Sequence, residues 1–286
     1  MKARSFLFAC ALAASSGIYA HPGIGIVENS KGEIFFTDLK QVWKISTQGE
    51  LTVAVPGVHT HELFLDAGGN LYGEHLWYNG DARNTWAHYV WKLSSRGALT
   101  KVIPDREGFL ENYSFVRDHF GRMYWADRSS ECQKVARRNA DNTITHLGNQ
   151  CFHNIRKMEV LPDGAVVLVD FQDLKKVDTR GQVKTVATRI ANKKWTTANA
   201  DNQNSVMGIW ADKKGNLYAA VSSARVIKRF GLSGQEEIAF RSTIPWAPSG
   251  GMVDSRERLW VLEYDPLNAV RVICVLPNGE KTTFTP

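Results

Sequence analysis

The segment Val206-Met207-Gly208-Ile209-Trp210-Ala211-Asp212-Lys213-Lys214-Gly215-Asn216-Leu217-Tyr218 decides how this chain folds. A short apolar run enters a polar turn at Gly215, and a second run, apolar and aromatic, leaves it. That pattern reads as a β-hairpin. It recurs at Gly32-Glu33-Ile34-Phe35-Phe36, Gly69-Asn70-Leu71-Tyr72, Gly121-Arg122-Met123-Tyr124-Trp125, Gly164-Ala165-Val166-Val167-Leu168 and Glu257-Arg258-Leu259-Trp260-Val261. Successive markers lie 37 to 52 residues apart. A second hairpin follows, as in Val42-Trp43-Lys44-Ile45 and Leu51-Thr52-Val53 around Gln48-Gly49. Four short strands every 45 residues or so suit a propeller blade. One blade cannot bury both faces, whereas six in a ring can. No helical period separates the strands, which excludes a βαβ enzyme. The expected fold class is therefore all-β: a single six-bladed β-propeller of four-stranded antiparallel blades over 21–286. With no overlap strand in sight, the ring is expected to close by contact of first and last blades.

The first twenty residues are a different material. Lys2 and Arg4 precede the apolar run Ser5–Ala14, and Ser15-Ser16-Gly17-Ile18-Tyr19-Ala20 offers small residues for cleavage. This reads as a secretory signal peptide, 1–20, and predicts export to a periplasm or the extracellular space. The run is too short to span a membrane comfortably, and no other apolar stretch is longer. The full chain carries a formal charge of +6, two units of it on the signal. Lysine and arginine form no blocks, only pairs such as Arg137-Arg138, so nucleic acid is excluded as an expected partner. Cys10 leaves with the signal, and Cys132 and Cys151 are expected to form a disulfide in an oxidising compartment. Cys274, inside an apolar strand, reads as buried.

In a four-stranded blade the start of the first strand and the end of the second open on one face. The residues there are rich in His and acids. First-strand starts include His59-Thr60-His61-Glu62, Asn112-Tyr113-Ser114, His153-Asn154-Ile155-Arg156 and Asn204-Ser205. Second strands end at Asp38, Glu74-His75, Asp127, Asp170, Ser222 and Glu263. Two long loops with Trp77, Tyr78 and Trp86, and with Trp195, open on the same side. Aromatic loops over a polar mouth suit a small organic ligand. Glu62, Glu74, Arg156 and Asp170 are the candidate catalytic residues. Trp77, Tyr113, Asn154, Asn204 and Glu263 are candidate ligand contacts. His61, Glu62, Glu74 and His75 could hold a divalent metal, zinc or calcium, that activates water. Strand alternation lets only one of His61 and Glu62, and one of Glu74 and His75, face the channel. Counted back from the turn glycines, Glu62 aligns with Ser114, Lys157, Gly208 and Gly250, and His61 with Arg156, Met207 and Ser249. There is no Gly-x-Ser-x-Gly, Walker loop or Gly-x-Gly-x-x-Gly after a strand.

The repeat, above all the stretch from Val206 to Tyr218, resembles the NHL-repeat and gluconolactonase/strictosidine-synthase-like propellers over nearly the whole of 21–286. The resemblance implies the six-bladed fold, and implies lactonase, lyase, amine-condensing or pure binding roles. Gluconolactonases hold a divalent metal with a Glu that opens the first blade, plus Asn and Asp further on. Here that blade opens Pro22-Gly23-Ile24-Gly25, without a Glu, and the register places Arg156 near the Asn position. Two functions follow as expectations. One is an exported, metal-assisted hydrolase or lyase acting on a small lactone or ester, with Arg156 steadying negative charge. The other is a non-catalytic module binding a ligand or a protein partner on the channel face. A monomer is expected in either case.

Overall fold

The computed structural model describes residues 22–110, 113–191, 205–231 and 234–286. The expected signal peptide, His21, Asn204 and the loop containing Trp195 lie outside them. The chain is a six-bladed propeller, almost entirely β. Blade 1 holds β1 (Ile26–Glu28), β2 (Ile34–Thr37), β3 (Val42–Ile45) and β4 (Leu51–Val55). Blade 2 holds β5 (Phe64–Leu65), β6 (Leu71–Tyr78), β7 (Trp86–Leu93) and β8 (Leu99–Glu107). Blade 3 has β9 (Met123–Asp127), β10 (Lys134–Arg138) and β11 (Ile144–His146). Blade 4 is β12 (Ile155–Val160), β13 (Val166–Asp170), β14 (Asp173–Val177) and β15 (Val183–Ala187). Blade 5 is β16 (Ile209–Ala211), β17 (Leu217–Val221), β18 (Val226–Phe230) and β19 (Glu236–Arg241). Blade 6 is β20 (Ala247–Val253), β21 (Leu259–Tyr264), β22 (Val270–Val275) and β23 (Lys281–Phe284). Every pairing is antiparallel between sequence neighbours. Blade 3 departs from four full strands: its innermost segment pairs with β9 only through the Arg117–Met123 bridge and the Tyr124 amide bonded to Val116 O.

Alternation explains why the second strands are apolar throughout. In β13, Val166 and Leu168 pack with Tyr124 and Val135 of blade 3, while Val167 and Val169 pack with Leu217, Ala219 and Val221 of blade 5. Residues on opposite faces of one strand thus serve two neighbours. In β17, Tyr218 and Ala220 turn the other way, onto Val261 and Ile273 of blade 6. Each such aliphatic side chain removed from water contributes roughly 1.5–3 kcal/mol. The ring closes in the same manner: Ile34 and Phe36 pack on Trp260, Leu262 and Val272, and Ser255 donates to Glu28 at 2.6 Å. Blades 1 and 6 are each complete in themselves, so the closure involves no shared strand.

The quoted repeat owes its turn to an aspartate. Asp212 accepts the amides of Lys214 and Asn216 at 2.9 Å, the Asn216 side chain at 2.7 Å and the Tyr218 hydroxyl at 3.3 Å. Asp66, Asp118 and Asp254 do the same with their own turns. Such a carboxylate satisfies the loop amides that a tight hairpin leaves unpaired. Burial alone would raise the Asp254 pKa. Hydrogen bonds from Trp260, Arg258 and Arg256 overcome it and hold the carboxyl below the usual range. Asp254→Ala strands the Trp260 indole, the Arg258 guanidinium and two amides, and is expected to lower stability by about 2 kcal/mol, read as a shift in urea midpoint.

Candidate functional site

The inner strands surround a cavity of about 610 Å³. Its wall is uneven. Blades 5, 6 and 1 bring small residues close together. A Cβ on Gly250 would lie 2.3 Å from Ile24 O, one on Gly208 2.8 Å from Ser249 O, and one on Gly25 2.8 Å from the Leu63 amide. Blades 2, 3 and 4 supply charge instead: Glu62, Arg117, Arg128, Arg156, Lys157 and Glu159 all line the cavity. Glu28 is the ionisable residue that the other three blades add among the described lining.

A β-bulge creates the basic patch. The register of β12 against β13 slips between Ile155 and Lys157, leaving Arg156 as the extra residue. Arg156 and Lys157, consecutive at this bulge, both line the cavity. Glu159, two residues on, shares the face of Lys157. Arg128 enters from the end of β9 and is anchored by donating to Ile155 O at 2.7 Å. Tyr113 lines the same cavity, its ring 5.2 Å from the Arg117 guanidinium.

The electrostatics follow from enclosure. These side chains keep part of their surface open to the cavity, yet protein crowds closely around Glu62, Lys157 and Glu159. Burial raises the Glu62 pKa, and Glu74 adds to the rise while Lys157 and His61 oppose it. Burial lowers the Lys157 pKa, with Arg156 and Arg128 pushing the same way and Glu62 resisting. Burial, then Arg128, also lowers Arg156. Glu159 is pushed up to about 8 by burial and by Glu62. Glu62 belongs to blade 2 and Lys157 and Glu159 to blade 4, so these charges act on each other across the cavity. Between the ordinary value of 4.5 and about 8 the folded protein keeps a proton on Glu159 that the unfolded chain has released. Stability is therefore expected to fall as pH rises through that window and to level off above it. Glu159→Gln should flatten this slope in denaturant midpoints taken below and above the window.

Of the residues singled out in the sequence, Glu62, Tyr113 and Arg156 meet in the cavity. The other described candidates are not part of its lining, and Asn204 lies outside the described residues. Glu74 is buried behind it, accepting the His61 amide at 2.6 Å and lying 3.0 Å from His61 Nδ1. Glu74 Oε2 is buried without a hydrogen-bond partner among the described residues. Asp170 is spent on structure: it accepts the His153 and Asn154 amides at 3.0 and 2.8 Å and Lys175 Nζ at 2.7 Å. Glu263 is wholly buried and accepts Arg271 Nε at 2.6 Å. Asn154 gives its amide to Asp170 and its carbonyl to the Phe171 amide. Trp77 donates to Asn79 at 3.0 Å and stacks on His75 at 5.4 Å. Asp127, which closes β9, bonds His146 Nε2 at 2.8 Å.

The expected metal set is not brought together. His75 Nδ1 accepts the His59 amide at 2.8 Å, and burial with Lys101 nearby lowers its pKa. Glu62 turns into the cavity, while Glu74 turns to His61. Among the described residues no three His, Cys, Asp or Glu side chains converge as a metal site requires. Lys157 acts on Glu62 and Arg156 lines the same cavity, so positive charge stands where a dication would have to sit. The residues present do not fit a divalent ion.

The Cys132–Cys151 disulfide is present, with Cα atoms 5.0 Å apart, and Cys274 is buried. No helix among the described residues is long and apolar enough to cross a membrane.

No protein-family model matches the chain, and none of the curated proteins does. Solved structures do share its fold. Virginiamycin B lyase from Staphylococcus aureus is similar at a TM-score of 0.51 and 14% identity, over 93% of this chain and 84% of its own. A gluconolactonase from Xanthomonas campestris reaches 0.52 at 11% identity, over 93% and 87%. The calcium-binding protein regucalcin from Agrobacterium tumefaciens reaches 0.54 at 14%, over 84% and 81%. The chain thus has the six-bladed propeller fold of the gluconolactonase, virginiamycin B lyase and regucalcin structures. Identities this low establish the fold alone.

Proposed function

We propose that this is an exported propeller enzyme whose cavity hydrolyses, or cleaves by elimination, a small lactone- or ester-like compound. One observation carries the reading: an acid with a raised pKa, Glu62, shares one cavity with the basic residues Arg156, Lys157 and Arg128. Perturbed titratable groups gathered in a cavity mark sites of chemistry. Glu62 in its ionised form takes a proton from water, or from carbon beside a carbonyl. Arg156 steadies the oxygen on which negative charge then grows. Tyr113 packs against the organic part of the substrate. The lactonase and lyase among the structural relatives support this class of reaction by analogy of fold. The disulfide supports export to an oxidising compartment. Metal assistance is not part of the proposal, because the donors do not converge and the cavity wall is basic.

The test is turnover of a panel of lactones and esters by the chain lacking residues 1–20, with and without a chelator. The expected result is turnover that survives chelation and rises with pH through a value above the ordinary carboxylate range. Absence of turnover, with ligands still bound in the cavity, would convert the reading to a binding module. Loss of turnover on chelation would restore the metal.

A further inference from the structure

Lys157 has no task in the hydrolysis just described, yet it lines the cavity among several other charged groups. It sits on the inner strand of blade 4, immediately after the bulge, with its side chain in the lumen. Arg156 flanks it on the same strand, Arg128 approaches from blade 3, Glu62 from blade 2, and Glu159 follows two residues along on its own face. Arg117, Tyr113 and Tyr124 complete the ionisable lining from blade 3, and Glu28 joins them from blade 1. We infer that Lys157 is a nucleophilic amine that forms an imine with a small aldehyde or ketone bound in the cavity, with Glu62 and Glu159 moving the protons.

Each part of the step has a residue to perform it. An amine is nucleophilic only when it has lost its proton, and burial beside other cations favours that form. Both conditions hold here, since enclosure and the two arginines act against the ammonium. The Lys157 nitrogen attacks the carbonyl carbon, a C–N bond forms, and the C=O π pair moves to oxygen. A proton passes from nitrogen to that oxygen through Glu62, giving a carbinolamine. Glu159 holds a proton at neutral pH and can donate it to the hydroxyl, which leaves as water while the C=N bond forms. Deprotonated Glu159 regains a proton from the nitrogen, so the balance is carbonyl plus amine to imine plus water. No oxidant, reductant or metal enters. Arg128 and Arg156 favour a carbonyl compound that also carries an anionic group, such as a 2-oxo acid.

The experiment traps the imine on the folded wild-type chain. The protein is incubated near neutral pH with pyruvate and sodium cyanoborohydride, which reduces C=N to a stable secondary amine, and the modified lysines are mapped by peptide mass spectrometry. Exposed Lys40 and Lys184 are internal references. The expected result is carboxyethylation of Lys157 at least about tenfold faster than of the references, because an ordinary lysine is almost fully protonated at that pH. Modification of Lys157 no faster than Lys40 and Lys184 would overturn the proposal. Turnover of esters is scored separately on the same preparation. Turnover without preferential trapping removes the amine chemistry alone, and trapping without ester turnover removes the hydrolase reading alone.

Discussion

Replacing Glu62 by Gln is expected to abolish most of the proposed turnover while leaving the ring folded. The expected loss is roughly 10²–10⁴-fold in kcat, the range for a positioned general base. Gln keeps the size and a carbonyl oxygen but cannot take a proton. The ring is expected to tolerate the loss of this charge: among the described residues, the hydrogen bonds that hold the first-strand starts run through Glu74, Asp170 and the backbone. Removing a carboxylate that burial disfavours also lowers its desolvation cost. The measurement pairs kcat with the thermal midpoint. A fall in kcat with an unchanged midpoint supports Glu62 as the base. Unchanged kcat with an altered midpoint assigns it a structural role with Lys157 and ends the catalytic reading.

The second large effect concerns the seam between blades 6 and 1. Gly250→Ala places a methyl carbon 2.3 Å from Ile24 O and 3.0 Å from the carbon of that carbonyl. Backbone cannot rotate away as a flexible side chain can, so the two inner strands must part. Overpacking of this kind costs about 3 kcal/mol, at the upper end of its usual range. Scanning calorimetry reads it as a lowered Tm. The control is Gly279→Ala, on an exposed turn where nothing lies within 4 Å of the added carbon, although its positive φ adds modest strain. A smaller loss at Gly250 than at Gly279 would show that the ring is not held by this contact.

The architecture was legible because each hairpin states itself locally. A glycine turn, alternating apolar strands and a fixed order of short segments are all properties of neighbouring residues. The site was legible in part, for a reason the geometry makes plain. Counting back from the turn glycines aligned Glu62 with Lys157, and both do line the cavity. The same count put Arg156 in the row with His61, and there the bulge at Ile155 defeats it, since one extra residue breaks the strict alternation and Arg156 lines the cavity beside Lys157. Glu159 could have been found by stepping two residues from Lys157. The acids closing the second strands were the wrong guide. Asp170, Glu74 and Glu263 lie where amides and basic side chains converge, and they are consumed by them. Composition cannot separate a carboxylate that caps a loop from one that faces a ligand, because both sit at the end of a strand. The metal set failed on the same ground: His75 is held by the His59 amide, a contact between segments 16 residues apart that no local pattern announces.

The aspartates that tie the hairpins, Asp66, Asp118, Asp212 and Asp254, sit between the first and second strands of their blades, at the end of the ring opposite the segments from which Glu62 and Arg156 enter. What folds the molecule and what gives the cavity its chemistry are therefore carried by different residues at different ends of the same strands. A sequence can drift in its lumen without loosening its turns. One ring could in this way acquire a new substrate by exchanging a few inward side chains on blades 2 to 4, with the scaffold's stability left as a reserve against the destabilisation such changes bring.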